Sequence, residues 1–277
     1  MQNLARQAAR NLAAVRANNP LVHNITNFVV MNFTANALLA MGASPVMAHA
    51  LKEVEEMVAH AGALVLNIGT LSPEWVDSMI AAGRRATAKK IPIVLDPVGA
   101  GATSLRTQSA HGILSRTRVA VVRGNASEIL SLAREDAHTK GVDTVHSVED
   151  IAGSAGDLAA KLGCTLAVTG ALDLVTDGRR AVRVANGHPL MTRVTGTGCT
   201  ATAAIGAFLA VDPDPVGAAA TALAYFGLAG EVAGATATAP GSFMIGLLDA
   251  LYTITPEQLQ AGCRFETGTI ESETRNP

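Results

Sequence analysis

Four short apolar runs, at 63–68, 91–95, 119–122 and 165–169, each end in a cluster of polar residues and glycine, with stretches of helix length between them. Runs this short and this apolar read as buried strands. The intervening patterns at 28–41, 73–89, 105–116, 126–134 and 148–162 predict helices. Strand alternating with helix calls for right-handed crossovers, hence an α/β fold: a mainly parallel central sheet with helices on both faces, three layers in all. After Gly170 the pattern changes. Runs at 172–176 and 181–184 flank the turn dipeptide Asp177-Gly178 and predict a β-hairpin at a sheet edge. Segments 199–210, 216–233 and 242–251 are apolar on most sides, as expected for helices packed between sheet and neighbours. Leu4, Ala8, Leu12 and Val15 give the first 19 residues one apolar face and predict a surface helix. The polar stretch 135–147 is expected to be a loop, and the tail beyond Glu266 to fray. With 277 residues, 49% of them hydrophobic, and no linker or repeat, a single domain over 1–277 is expected.

Charge and cysteine usage remove several classes of function. A formal charge of −2 with no basic run leaves no electrostatic footprint for nucleic acid. Cys164, Cys199 and Cys263 are odd in number and far apart, which suits neither a disulfide framework nor a zinc site and points to a reducing cytoplasm. Between positions 17 and 51 there is no Asp, Glu, Lys or Arg. Asn24, Asn27, Asn32, Thr34, Asn36 and Pro45 interrupt that segment, so it is expected to be buried rather than to span a membrane. Its amides need partners inside, which makes it a candidate ligand wall or subunit interface.

In an open parallel sheet, ligands bind beyond the carboxyl ends of the strands. Here those ends read 67–70 (NIGT), 96–101 (DPVGAG), 123–128 (RGNASE) and Thr169-Gly170. Asp96 and Glu128 offer two carboxylates able to hold Mg²⁺ while nucleotide phosphates complete its shell. Asp96 could equally cap its Asp-Pro turn, and Asn125 with Glu128 could form a helix capping box. Arg123, emerging from an apolar strand, requires an anion: a phosphate, or a salt bridge to Asp96 or Glu128. At 194–199 (VTGTGC) two glycines allow a sharp turn into a helix whose free N–H groups attract phosphate. Cys199 falls in the first turn, where the macrodipole is expected to lower its pKa from about 8.5; the alternative is an inert buried thiol. Gly196, Gly198 and Ala201 match a relaxed dinucleotide fingerprint, but late in the chain and without the acidic strand end that should follow. Neither a P-loop nor a Gly-x-Ser-x-Gly elbow occurs, and no histidine lies in a cysteine-hydrolase signature.

Taken together, 20–27 (PLVHNITN), 32–36 (NFTAN), 42–47 (GASPVM), 96–101, 123–128, 196–199 (GTGC) and 240–243 (PGSF) resemble the hydroxyethylthiazole kinase family over most of the chain. The resemblance implies a ribokinase-like fold that phosphorylates the hydroxyl of 4-methyl-5-(2-hydroxyethyl)thiazole with ATP and Mg²⁺ in thiamine salvage. It also implies a homotrimer with sites at subunit boundaries. Carried over by position, it puts Asn27, Met47 and Gly196 at the thiazole, with Gly69 and Thr70 completing that pocket. Arg123, Asn125, Thr169 and Gly198 fall at ATP, Asp96 and Glu128 at the metal, and Cys199 at the reacting hydroxyl, where many members of the wider superfamily carry aspartate. The uncharged segment suits a small neutral heteroaromatic better than a sugar, because charge there would be costly to desolvate. Other readings on the same scaffold are a pyrimidine-alcohol or sugar kinase, and a lyase repairing hydrated nicotinamide cofactors, expected to be acidic at position 199. A non-catalytic thiazole- or thiamine-binding module is disfavoured by the two metal carboxylates.

Overall fold

In a computed structural model, which describes residues 2–133, 148 and 151–269, the strands lie hydrogen-bonded in one sheet. In chain order the elements are α1 (Gln2–Asn18), β1 (Leu21–Ile25), α2 (Met31–Met41), β2 (Ser44–Val46), α3 (Val54–Val58), β3 (Ala63–Asn67) and α4 (Pro73–Lys89). Then come β4 (Ile93–Asp96), α5 (Ser104–Arg116), β5 (Val121–Asn125), α6 (Ala126–Leu132), α7 (Ala152–Leu162), β6 (Thr165–Thr169), β7 (Asp173–Thr176) and β8 (Arg180–Val184). The chain finishes with α8 (Thr197–Leu209), α9 (Pro215–Gly234), α10 (Pro240–Thr253), α11 (Pro256–Gly262) and β9 (Phe265–Thr269).

The sheet runs β2-β1-β3-β4-β5-β6-β7-β8-β9. Strands β2 to β6 in that order are parallel, and β7, β8 and β9 add an antiparallel edge. Side chains alternate between faces along each strand. Val22, Val65, Val94 and Val121 pack under α1, α2, α8, α9 and α10 with Leu12, Leu38, Phe208, Tyr225 and Phe243. Leu64, Leu66, Leu95 and Val122 face the other way, onto Met79, Ile113, Ile129 and Leu158 of α4 to α7. Two cores on the two faces of one sheet make the expected three layers. Helix α9 is the one helix among the described residues long and apolar enough to cross a bilayer, yet 83% of its most apolar window is buried, against α8, α10 and α1.

Several boundaries differ from the sequence expectation. Strands β1 and β2 do not follow from the apolar pattern: β1 carries His23 and Asn24, both fully buried, and β2 is only three half-buried residues, Ser44–Val46. The helix expected at 28–41 begins only at Met31. The chain beyond Glu266 does not fray at once: Thr267 to Thr269 continue β9 and pair with Val182 to Arg180. The polar loop expected at 135–147 lies outside the described residues.

Candidate active site

Five parallel strands deliver polar residues to one edge. Asn67 and Asp96 are register partners at the ends of β3 and β4, Asn125 and Thr169 at the ends of β5 and β6, and Asn27 stands two residues past β1. The chain goes from β1 outward to β2 and then crosses back to β3, so the fold's topological switch lies between β1 and β3, where a crevice is expected. Helix α8 lies along β1, β3 and β4 with its N-terminus at this same edge.

A buried relay links these ends. Asn27 Nδ2 donates to Asn67 Oδ1 at 2.9 Å and to Cys199 Sγ at 3.5 Å. Asn67 Nδ2 donates to Asp96 Oδ2 at 2.8 Å, and Thr202 Oγ1 donates to the same oxygen at 2.8 Å. Arg123 Nη1 stands 3.7 Å from that oxygen, while its Nη2 donates to Thr169 Oγ1 at 2.5 Å. Asp96 is fully buried, and burial raises its pKa to about 6 despite the opposing pull of Arg123; the nearby Glu128 charge raises it further. Two atoms of this cluster are buried without a partner, Asp96 Oδ1 and Arg123 Nε. A buried acceptor and a buried donor left without partners in one cluster call for an explanation that the protein's own hydrogen bonds do not supply.

Glu128 does serve as a cap. Its Oε2 accepts from Asn125 N–H at 2.9 Å, Asn125 Oδ1 accepts from Glu128 N–H at 2.9 Å, and Oε1 accepts from Gly99 N–H at 2.8 Å. The capping box therefore holds the carboxylate facing the Asp96 loop, and each oxygen keeps a second lone pair. The salt-bridge alternative for Arg123 is realised with Asp96.

The glycines at α8 are required by close contact. Gly196 has φ +87°, and a Cβ there would lie 2.7 Å from Val30 Cγ1. A Cβ on Gly198 would lie 2.6 Å from Arg123 Nη1, so only glycine lets the guanidinium rest on the helix start. Thr200 N–H is the first to bond back, to Gly196 O at 2.8 Å, which leaves the N–H groups of residues 197–199 ahead of the helical ladder. Gly69 donates its N–H to Asn67 Oδ1 at 3.0 Å and lies against Asn27, while Thr70 Oγ1 accepts from Phe28 N–H at 3.1 Å. Met47 follows β2, half-buried, beside a backbone segment that His23 Nε2 pins through Ala48 O at 2.7 Å.

One expectation reverses. The Cys199 thiol is pushed up, not down: burial is the largest cause and the Asp96 charge the next, against hydrogen bonds from Asn67 and Asn27. A helix terminus contributes about 0.3–1 kcal/mol, under one pKa unit, whereas desolvation of a buried group can shift it by several. Cys199 is a neutral thiol near pH 7.

Asn67 and Thr202 belong to the site although the sequence reading gave them no role; a polar residue at a strand end and a threonine one turn past Cys199 were the available signals. Asp173 is another. It accepts Gly170 N–H at 2.9 Å beside Thr169, and burial raises its pKa to about 6 against that bond and Arg123. Among the described residues no group of three or more His, Cys, Asp and Glu could cage a metal. A cleft of about 980 Å³ opens at the opposite edge, between Lys90, Arg118, Asp212 and Pro213, and none of the relay residues lines it.

A parallel sheet with an antiparallel edge and helices on both faces, with a glycine turn into α8 at the strand ends, is a fold of the ribokinase-like class. A ribokinase-like superfamily protein from Enterococcus faecalis V583 shares this fold at a TM-score of 0.63 and 16% identity, over 92% of this chain and 95% of that one. Residues 12–257 match the hydroxyethylthiazole kinase family, and the chain belongs to that family. The hydroxyethylthiazole kinase of Desulfotalea psychrophila (strain LSv54 / DSM 12343) is 65% identical over 266 residues, covering 96% of this chain and 97% of its own. The solved hydroxyethylthiazole kinase protein from Pyrococcus horikoshii OT3 is 48% identical with a TM-score of 0.87, over 94% of this chain and 98% of that one.

Proposed function

We propose that this protein, as one kinase domain over 1–277, transfers the γ-phosphoryl group of ATP to the hydroxyl of 4-methyl-5-(2-hydroxyethyl)thiazole, a step of thiamine salvage. The relay from Asn27 through Asn67 to Asp96, with Cys199 beside it at the start of α8, carries the reading: it joins the uncharged segment to a carboxylate and an arginine without a break. Asn27, Met47, Gly69, Thr70 and Gly196 form the thiazole side. Arg123, Asn125, Thr169 and Gly198 form the nucleotide side, with the first-turn N–H groups of α8 and the Arg123 fork meeting phosphate oxygens. Asp96 and Glu128 fit Mg²⁺, since the partnerless Asp96 Oδ1 and the second lone pairs of Glu128 are hard oxygen donors. When bound, the ion neutralises charge on the phosphates.

Phosphoryl transfer passes through a loose transition state, so alignment and charge neutralisation supply most of the acceleration and early proton removal supplies little. A neutral thiol suits that division. Cys199 orients the attacking hydroxyl, accepting its hydrogen bond at sulfur, without being indispensable; a thiol that keeps its own proton does not act as the base. Cys199→Ala should therefore lose about 10–100-fold in kcat, below the usual range for a full general base, and keep ATP binding. Abolished turnover in both Cys199→Ala and Cys199→Asp, with folding and ATP binding intact, would contradict this role.

The exposed Phe28 and Val29 follow Asn27 and the exposed Leu51 follows Met47, apolar surface that suits a subunit boundary; the homotrimer with shared sites is what the family resemblance implies for it. Cys164, Cys199 and Cys263 are free thiols, in keeping with a cytoplasmic protein. ADP release measured with ATP, Mg²⁺ and either the thiazole alcohol, a pyrimidine alcohol or a sugar tests the reading. Release should depend on the thiazole alcohol; equal or faster release with a sugar overturns it.

A further inference from the structure

We propose that Arg106 is a positioning residue that sets the spacing between the acceptor loop after β3 and the phosphate-side loop after β4; this rests on the functional reading above. Arg106 lies in the first turn of α5, whose start is fixed by Thr103 Oγ1 accepting Arg106 N–H at 3.3 Å. Its guanidinium reaches across both loops. Nη1 donates to Ile68 O at 3.0 Å and to Val98 O at 2.7 Å, and Nη2 donates to Gly69 O at 2.6 Å.

Those three carbonyls belong to two different halves of the site. Ile68 and Gly69 follow β3, and Gly69 lies against the Asn27 amide. Val98 follows Asp96 by two residues and precedes Gly99, whose N–H holds Glu128 Oε1 at 2.8 Å. The ladder between β3 and β4 closes with Ile68 N–H on Asp96 O at 3.2 Å, and the Arg106 fork takes over where it ends. Backbone geometry makes room for it: Gly99 has φ +72°, and a Cβ there would lie 3.0 Å from Arg106 Cδ. Among the described residues Arg106 has no carboxylate in ion-pair range, so its charge is spent on main-chain oxygens alone. A planar fork can hold three carbonyls in two loops at once; a lysine ammonium on a flexible stem does not fix that geometry.

Displacing an acceptor by about 1 Å can cost about 100-fold in rate. Arg106→Gln and Arg106→Lys are each expected to lower kcat at least about 10-fold with the thiazole alcohol, with the KM for ATP within about 3-fold of wild type because Arg123, Thr169 and α8 are untouched. A role confined to stability would lower the melting temperature and leave kcat per folded molecule unchanged. Wild-type kcat in Arg106→Lys overturns the proposal, whether or not Arg106→Gln folds. Wild-type protein silent on the thiazole alcohol sinks the functional reading and this inference together; an active wild type with unaltered variants sinks the inference alone.

Discussion

Asp96→Asn is expected to lower turnover by about 10²–10³-fold while moving Tm by less than about 5 °C. The replacement has the same shape, and its side-chain oxygen can still accept from Asn67 and Thr202, so the relay survives. Only charge is removed. The fold loses the 3.7 Å attraction to Arg123 and is relieved of the cost of a fully buried carboxylate, two effects that oppose each other. Turnover has no such compensation, because Asp96 Oδ1 is the partnerless oxygen assigned to the metal side. A Mg²⁺ titration of turnover alongside a thermal melt checks this: an unaltered Mg²⁺ response removes Asp96 from the site, and a large melting shift with normal turnover makes it a structural residue.

Arg123→Ala should damage both activity and stability. Loss of the fork aimed at phosphate is expected to reduce kcat/KM for ATP by about 10²–10³-fold. It also leaves Asp96 buried without its cation, which can cost up to about 3–5 kcal/mol and lower Tm by several degrees, less here because the pair is a single 3.7 Å contact. The double variant Asp96→Asn/Arg123→Ala should be more stable than Arg123→Ala, since the stranded charge has gone. The sign of the pH effect follows from the same burial. Asp96 has a folded pKa of about 6 against an ordinary 3.8, so the folded state holds its proton longer, and ionisation of Asp96 costs stability as pH rises through that window. Activity runs the other way and needs the carboxylate charged. Removing Arg123, which holds the pKa down, should move the acid limb of the pH–rate profile upward. A melt equal to wild type together with an unmoved acid limb would show that the two side chains are uncoupled.

Much of the site could be read from the strand ends, because a polar residue closing an apolar run has few structural excuses. Asp96, Arg123 and Thr169 stand out that way; of the partners open to Arg123 the structure realises Asp96, and its other nitrogen donates to Thr169. The glycines of 196–199 stand out because they allow a sharp turn and a close approach; the φ of +87° at Gly196 fits the turn, while at Gly198 the close neighbour is the Arg123 guanidinium. Cys199 shows the limit. Its place in the first turn of α8 was correct, but its protonation was set by neighbours 172 and 103 residues away, Asn27 and Asp96, and by burial, none of which its own segment contains.

Local pattern was enough for the layered α/β fold, the helices that cover it and the edge that carries the chemistry, since hydrophobic period and turn residues act over a few positions and do not need to know their partners. What waited on tertiary structure were β1, whose buried His23 and Asn24 make sense only between neighbouring strands, the three-residue β2 beside it, and the links Asn67 to Asp96, Thr202 to Asp96 and Arg106 to two loops. Hydrogen bonds across 29 and 106 positions, and the desolvation that tunes a carboxylate and a thiol, depend on which groups share a dry space, and that is decided only when the chain closes on itself.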